Sequence, residues 1–293
     1  MAGNAVDNRR VSIDHYENFP VASWMCPPRL RPPIMAIYRF ARCADDIADE
    51  GAATSAQRLD TLSDYARSLD AAIRGVPAQR WSTVFAPLGQ AIADFDLPTR
   101  LLWDLLDAFT QDCSNPYYDD RQQLLDYCRR SANPVGRLLL HLDGVRDAVA
   151  LEQSDAICSA LQLINFWQDP SVDLPRGRSY FPLRDLQRHG LHHDDMKAGL
   201  DTPVTEAVIA ELCAWAGDLM LEGSPLVSRL SGRMGWELRF VVQGGLRVLE
   251  KIAVLRYRTL GRRPTLGVVD APFITWRAAW MTATMGGPRE VGT

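Results

Sequence analysis

Two pairs of aspartates, each spaced by four residues, have the residue types and spacing of a cation site. Asp45 and Asp49 end the stretch 38–49, YRFARCADDIAD, and Asp169 and Asp173 lie in the stretch 165–173, NFWQDPSVD. On a helix, side chains four residues apart lie about 40° apart around the axis and share a face. Two such carboxylates are good ligands for Mg²⁺, which takes oxygen donors and usually bridges to a substrate phosphate.

The neighbours of the first pair distinguish it from ordinary surface acids. Asp60 and Asp64 have the same spacing, but they lie in a mixed stretch with Arg58, and charged side chains of that kind are mostly exposed. The neighbours of Asp45 and Asp49 are mainly apolar or aromatic: Ile34, Ile37, Tyr38, Phe40, Ala41, Ala44, Ile47 and Ala48. A solvated helix face therefore describes Asp60 and Asp64 better than it describes the first pair.

The second pair follows an apolar run of its own, formed by Ile157, Ala160, Leu161, Leu163 and Ile164. Two acidic patches at the ends of apolar helices predict two helices that face each other across a cavity. Such a cavity could hold several Mg²⁺ ions and one diphosphate. The alternative is two unrelated solvated helix faces.

Composition limits the classes of protein. The chain has 293 residues, 47% hydrophobic content and a net charge of −4, without a basic block, so the footprint of a nucleic-acid-binding protein is absent. Six scattered cysteines without a C-x-x-C pair predict reduced, buried thiols in a cytoplasmic protein. No signal peptide and no apolar stretch of about 20 residues is present, so we expect no transmembrane helix.

Hydrophobic periodicity predicts an all-α protein, with residues 1–13 disordered and residues 14–285 forming one helical domain. Thr54 and Gln57 form a capping-box signature at the start of the second helix. The segment 15–23, HYENFPVAS, is short and aromatic, and we expect it to cover another part of the molecule. The predicted helices are 32–49, 54–74, 83–94, 98–112, 124–142, 147–172, 204–222, 225–260 and 272–284.

The predicted helix 124–142 is interrupted by Asn133, Pro134 and Gly136. Proline removes a backbone donor and kinks a helix. The interruption is either an ordinary loop between two helices or a place where the backbone opens towards a ligand. The position of Tyr127 beside it favours the second reading.

Several stretches in order resemble the squalene and phytoene synthase family: YRFARCADDIAD, YCRRSANPVG (127–136), and LQLINFWQD (161–169) followed by RSYFP (178–182). The likeness extends from about His15 to Arg263. It implies an isoprenoid synthase fold, with helices surrounding a central apolar cavity, and an enzyme that uses Mg²⁺ to act on a prenyl diphosphate.

The resemblance also implies roles for individual residues. The four aspartates, Asp45, Asp49, Asp169 and Asp173, would hold Mg²⁺ against the diphosphate. Tyr127 would lie near the reacting carbons. The other residues expected to contact the diphosphate or the rest of the substrate are Tyr38, Arg42, Asn165, Tyr180, His15, Phe19 and Asn133. Aromatic faces that could stabilise a carbocation belong to Phe19, Phe40, Phe166 and Trp167, each of which could equally be plain core.

A finer similarity is to the hydroxysqualene synthase branch of hopanoid biosynthesis, carried by HYENFPVAS, RPPIMAIYRFAR, SANPVGRLLL and VVQGGLRVLEKI. Members of that branch ionise presqualene diphosphate, let the cation rearrange and quench it with water, giving hydroxysqualene and free diphosphate. The alternative is a presqualene diphosphate or squalene synthase that condenses two molecules of farnesyl diphosphate. No glycine-rich dinucleotide motif is present, which agrees with a step that needs no hydride.

Three features, at four positions, depart from the family pattern. Tyr16 and Asn18 stand where many members have serines, Asn133 stands where many have glycine, and Gln168 stands where many have arginine. Loss of small or basic diphosphate contacts favours a substrate with one diphosphate. Two other classes stay open: a non-catalytic family member and a membrane-surface module, for which 247–263 is a partial basic amphipathic candidate. A long apolar substrate and product suggest peripheral contact with the inner membrane.

Overall fold

The structure is a computed structural model that describes residues 26–78 and 80–285, with side chains as far as residue 281. Within these ranges the chain is helical and forms no β-strand, as predicted. Three 3₁₀ helices cover Pro28–Leu30, Leu174–Arg176 and Val268–Asp270. The α-helices are α1 (Arg31–Asp49), α2 (Ser55–Ile73), α3 (Ser82–Phe95), α4 (Arg100–Asp112), α5 (Arg121–Ser131), α6 (Asn133–Leu142), α7 (Ala148–Gln168), α8 (Pro170–Asp173), α9 (Leu183–Arg188), α10 (His193–Lys197), α11 (Pro203–Gly223), α12 (Leu226–Arg229), α13 (Gly232–Val254) and α14 (Ala271–Met285).

Some predictions fall on other parts of the chain. Disorder of residues 1–13, the covering segment 15–23, and the substrate contacts of His15 and Phe19 all lie outside the described residues. The organisation of 14–285 as one domain stays a prediction. None of the described helices is both long and apolar enough to cross a membrane.

Local sequence signals set the ends of α1 and α2 as predicted. Prolines occupy the first turn of α1, where a missing N–H costs nothing, and the chain becomes extended at Glu50, just before Gly51 with φ +78°. At the start of α2, the backbone N–H of Gln57 donates to Thr54 Oγ1 over 3.3 Å, and that of Thr54 donates to Gln57 Oε1 over 2.9 Å. The reciprocal pair satisfies two N–H groups that the helix leaves without partners.

The prediction of one continuous helix is wrong for two long ranges, because each range contains two helices in the structure. The helix 147–172 ends at Gln168 and a short one begins at Pro170, since proline cannot donate to the preceding turn. The helix 225–260 divides into α12 and α13 at Gly232, whose φ is +60°, and it ends at Val254, ahead of two residues with positive φ. The first break places Asp169 at a helix junction rather than inside a helix.

The helical periodicity of 98–112 predicts a buried stripe of Leu101, Leu105, Ala108 and Phe109, and the observed buried face of α4 differs from it. Leu105 and Ala108 are buried, but Leu101 and Phe109 are only half-buried. Buried leucines at 102 and 106 complete the face instead. The buried face of α4 is therefore rotated slightly around the helix axis, relative to the face that the periodicity indicates.

The described core has two clusters that meet at α4 and α6. One surrounds Phe40 and takes residues from α1, α2, α3, α4 and α6. The other surrounds Trp167 and takes residues mainly from α5, α7, α11 and α13. Helix α6 contributes Leu138 and Leu142 to the first cluster and Leu140 to the second. This packing fixes α1, which carries the first acid pair, relative to α7, which leads into the second.

Close packing of α7 against α11 requires a glycine at position 223. A Cβ placed there would lie 2.5 Å from Gln153 O and 2.9 Å from Ile157 N, and backbone atoms cannot easily move aside. We expect Gly223→Ala to lower the free energy of unfolding by about 1–3 kcal/mol. Gly244→Ala on α13 is the control: no atom lies within 4 Å of its Cβ position. It should be neutral or stabilising by up to about 1 kcal/mol. Urea denaturation of both variants checks the pair, and equal effects would contradict the packing argument.

Candidate active site

The acidic end of α1 carries its own arginine. Arg42 Nη1 lies 3.1 Å from Asp45 Oδ2, and Nη2 lies 2.8 Å from Asp46 Oδ1 and 3.0 Å from Glu50 Oε1. Arg42 and Asp45 therefore share one side of the helix, as the spacing predicts. Tyr38 lies one turn before Arg42 and is half-buried. This arginine is held at the first acid pair by two carboxylates of its own helix and by Glu50, which directly follows the helix.

Arg178 connects the two acidic stretches. Its guanidinium forms an ion pair with Asp49 of α1, and the two side chains are only 16% and 17% exposed. Its backbone N–H donates to the carbonyl oxygen of Asp173 over 3.0 Å. The loop after the second acid pair thus lies against the first pair. The predicted convergence of residues 45/49 and 169/173 is present in the structure.

Asp169, at the junction of α7 and α8, is held by a basic side chain from a distant part of the sequence. Arg263 donates from Nε to Asp169 Oδ1 over 2.5 Å and from Nη2 to Oδ2 over 3.1 Å. Asn165 Nδ2 donates to Asp169 Oδ2 over 2.9 Å, which places it beside the second pair, as predicted. A guanidinium that donates to both oxygens of a carboxylate fixes the distance and the orientation of that carboxylate.

Gln168 has a structural contact in place of the expected arginine. Its side chain is buried, and Nε2 donates to the carbonyl oxygen of Pro264 over 2.7 Å. This bond holds the segment that carries Arg263 against Asp169. Arg263 is not among the site residues predicted from the sequence, and the only local signal for it is its place in an acid-free, arginine-rich stretch, 252–269.

A cleft of about 470 Å³ lies beside Asp49 and Arg178. Its other lining residues are Ala48, Glu50, Gly51, Ser55, Arg58, Asp112, Cys113, Asn115 and Arg176. The lining is mainly polar, so this cleft suits a charged group rather than a hydrocarbon chain. The expected central apolar cavity stays a prediction.

Arg58 fixes the wall of the cleft formed by the end of α1. Its guanidinium donates to four backbone carbonyl groups, those of Ile47, Ala48, Gly51 and Ala53. The carbonyls at a helix end have no partners within the helix. Arg58 therefore determines where α1 ends and, with it, where Asp49 is presented.

Several carboxyl groups around the cleft have raised pKa values because they are half-buried and lie near one another. Burial raises the pKa of Asp45 to about 6, with a further increase from Asp49. Burial raises the pKa of Asp173 to about 7, and Asp169 adds to this. Burial also raises the pKa of Asp112 to about 7, where the hydrogen bond from Tyr127 acts in the opposite direction. Such a group of carboxylates favours the binding of a cation, which would lower their pKa values.

Tyr127 connects the cleft to a cluster of aromatic rings. The tyrosine is buried, and its hydroxyl donates to Asp112 Oδ2 over 3.0 Å. Phe166 and Tyr180 stack with ring centroids 3.6 Å apart and an angle of 8° between the rings. Both rings also lie 6.2 Å from Tyr127, centroid to centroid. The structure thus brings the expected Tyr127, Phe166 and Tyr180 together.

Two other aromatic candidates are core residues. Phe40 is fully buried and stacks on Tyr65, with ring centroids 5.5 Å apart. Trp167 is fully buried and packs against Phe181 at 5.6 Å. Of the two readings given for these rings, plain core describes both, because each is enclosed by other core side chains.

Asn133 holds the kink between α5 and α6. It is buried, and with its amide nitrogen directed at α7 it donates to Cys128 O, Asp155 O and Ser159 Oγ over 3.3, 3.2 and 2.9 Å. These contacts connect the kink to the last turn of α5 and to α7. Nothing places Asn133 among the residues that line the cleft, so its contribution to substrate binding stays a prediction.

The donor chemistry of the site fits Mg²⁺. In the part of the chain that the structure describes, no three acidic, cysteine or histidine side chains are gathered closely enough to hold an ion alone. Mg²⁺ is usually bound by one or two carboxylates together with water and substrate phosphates. Aspartates on opposite sides of a polar cleft could therefore each hold an ion that a diphosphate completes.

The known proteins that are similar to this chain are isoprenoid synthases of related activities. The model of the squalene/phytoene synthase family matches residues 13–269. The chain is 34% identical to a hydroxysqualene synthase from Rhodopseudomonas palustris over 227 residues, 77% of this chain and 75% of the relative. It is 30% identical to a presqualene diphosphate synthase from Zymomonas mobilis over 69% of this chain and 67% of the relative. Phytoene synthases match at 25–32% identity.

A solved structure supports the fold at higher identity. The crystal structure of a squalene synthase from Alicyclobacillus acidocaldarius is 37% identical to this chain, with a TM-score of 0.76. The match covers 83% of this chain and 90% of the crystallised one. The arrangement of helices around the two acid pairs is therefore an isoprenoid synthase fold.

Proposed function

The chain belongs to the squalene/phytoene synthase family, and from this premise we propose that it is a hydroxysqualene synthase. The family and the relatives make it an isoprenoid synthase that acts on prenyl diphosphates. The observation that carries the proposal is the ion pair between Arg178 and Asp49, which joins both acid pairs at one cleft. The proposed reaction converts presqualene diphosphate and water into hydroxysqualene and diphosphate.

Departure of the diphosphate is the first task of the site. When bound, Mg²⁺ would neutralise the negative charge that grows on the leaving oxygen as the C–O bond breaks. The residues that would hold it are Asp45, Asp49, Asp169 and Asp173. Arg178 and Arg176 add fixed positive charge at the same cleft. Charge placed in advance lowers the barrier because it needs no reorganisation during the reaction.

The carbocation that remains needs an environment that does not attack it. The stacked rings of Phe166 and Tyr180, with Tyr127 beside them, offer aromatic faces next to the cleft. Aromatic faces attract cations and are poor nucleophiles. After rearrangement, the oxygen of one water molecule forms the new C–O bond and the water loses one proton. The product is the neutral alcohol.

A condensing enzyme is the second candidate. The relative named presqualene diphosphate synthase favours it, and the same cleft would then bind farnesyl diphosphate. Condensation of two such molecules needs room for two diphosphates. The use of Gln168 as a contact to Pro264 O, instead of an arginine before Asp169, supports the one-diphosphate substrate.

Product analysis tests the proposal. The protein is incubated with Mg²⁺ and either presqualene diphosphate or farnesyl diphosphate, each with and without NADPH, and the products are identified by mass spectrometry. We expect hydroxysqualene from presqualene diphosphate without NADPH, and no product when EDTA replaces Mg²⁺. Presqualene diphosphate formed from farnesyl diphosphate, with no hydroxysqualene from either substrate, would support the second candidate and overturn the first.

Peripheral contact with a membrane also stays a prediction. Val254, Val268 and Val269 are 81%, 91% and 84% exposed, and the arginines at 256 and 262 are exposed in the same acid-free stretch. Apolar and basic side chains together suit an anionic bilayer surface. Flotation of the protein with anionic liposomes tests this contact.

A further inference from the structure

A hydrogen bond between α4 and α5 links the polar cleft to the aromatic cluster. Asp112 is the last residue of α4 and lines the cleft beside Asp49 and Arg178. Its Oδ2 accepts the hydroxyl hydrogen of Tyr127 over 3.0 Å. Tyr127 is 3% exposed, so water does not compete for this bond. Because both groups are on packed helices, the bond has a fixed direction.

The chemistry of the two groups fixes which one donates. A phenol has one hydrogen and two lone pairs, whereas a carboxylate has only acceptor sites. Burial, together with the charges of Asp49 and Asp45, raises the pKa of Asp112 to about 7, whereas its bond to Tyr127 and the charge of Arg178 act in the opposite direction. In the ionised form, Asp112 can only accept the phenolic hydrogen. With its hydrogen directed at Asp112, the Tyr127 oxygen has none left for a second acceptor. It can only accept a hydrogen bond or face positive charge.

The ring of Tyr127 is held as firmly as its hydroxyl. Tyr118 lies 5.7 Å from it, and Phe166 and Tyr180 each lie 6.2 Å away, between ring centroids. Burial also raises the pKa of Tyr127 well above its ordinary value, and the Asp112 charge adds to this, so the phenol keeps its hydrogen. The remaining lone pairs therefore have one orientation relative to Phe166 and Tyr180.

We propose that Asp112 is a positioning residue for Tyr127. By accepting the phenolic hydrogen, it makes the Tyr127 oxygen a pure acceptor, which stabilises positive charge on the reacting carbons or orients the water that attacks them. It also prevents Tyr127 from donating to the diphosphate. This assignment rests on the proposed function in one respect only: a prenyl cation must form beside the aromatic cluster.

A double-mutant cycle tests the assignment with the full-length protein. Asp112→Asn keeps the size of the side chain, but its amide can donate to the Tyr127 oxygen and so removes the fixed polarity. We expect it to lower kcat for diphosphate release by about 10–100-fold, with little change in KM. In the Tyr127→Phe background, the same substitution should change kcat by less than about twofold, because its target is gone. Asp112→Glu, which keeps the acceptor, should recover part of the loss.

The control is Asp107→Asn on the same helix, where the side chain is 64% exposed and pairs with Arg130. It should leave kcat unchanged. Equal losses from Asp112→Asn in both backgrounds, or a loss that lies mainly in KM for the diphosphate, would overturn the proposal and make Asp112 a charge of the cleft. If Asp112→Asn does not fold, as judged by thermal denaturation, Asp112→Ser gives the same comparison.

The readout keeps this inference separate from the proposed function. Diphosphate release is measured with whichever prenyl diphosphate the wild-type protein consumes. The identity of the wild-type product then decides the function, and the additivity of the two substitutions decides the role of Asp112.

Discussion

Asp49→Asn should lower kcat for diphosphate release by about 10³-fold, since it removes a charge that would act on the departing group through Mg²⁺. Asparagine has nearly the same size, so the fold should persist, although the ion pair with Arg178 is lost. The release of diphosphate at saturating Mg²⁺ and substrate is the measurement. Asp169→Asn should have an effect of the same order, because Asp169 belongs to the second pair and is oriented by Asn165 and Arg263.

Asp60→Asn is the matched control for this prediction. Asp60 and Asp64 repeat the four-residue spacing on α2, but Asp60 is exposed and does not line the cleft. Its replacement should leave kcat within about twofold of wild type. If Asp49→Asn were as active as Asp60→Asn, the assignment of the first pair to metal binding would be wrong.

Replacement of Arg178 by methionine should reduce kcat by about 10²-fold, because the cleft loses a cation that is only 16% exposed. Arg178→Lys should lie between methionine and wild type, since lysine keeps the charge but not the planar fork that pairs with carboxylate and phosphate oxygens. An effect of Arg178→Met no larger than that of Arg67→Met, an exposed arginine of α2, would contradict this role.

The same variant should have a characteristic pH dependence of stability in EDTA. Asp45, Asp112 and Asp173 have pKa values raised to about 6, 7 and 7, so their ionised forms are disfavoured in the folded protein. The cost of keeping these partly buried carboxyl groups ionised is present above those pKa values and disappears as protonation proceeds below them. Without Arg178 the cost increases, so the loss of melting temperature should be larger at pH 8 than at pH 5. The opposite order would show that Arg178 does not neutralise these carboxylates.

Much of the helical framework follows from local sequence. The prolines at the start of α1, the Thr54–Gln57 capping box and the kink at Pro134 all act within one turn of the chain, so periodicity and residue type were enough to place them. The acid pairs could be selected because their apolar neighbours contrast with those of Asp60 and Asp64.

The rest of the site depends on contacts between distant segments. Asp112, Arg178 and Arg263 reach the acid pairs only through packing of α4, the loop after α8 and the segment after α13. Each lies in a sequence context that an ordinary surface residue could share. Asn133 and Gln168 show the converse: their positions in a motif suggest ligand contact, whereas their amides are used to hold backbone carbonyls.

The most direct test of the account is whether Asp49 and Asp173 act on the same ligand. Calorimetric titration with inorganic diphosphate in Mg²⁺ would give the affinity of the wild type, Asp49→Asn, Asp173→Asn and the double variant. The account predicts strong coupling: the loss in the double variant should be smaller than the two single losses combined by at least about 1 kcal/mol. Independent, additive losses, or Mg²⁺-dependent binding that survives both substitutions, would contradict a single shared diphosphate site.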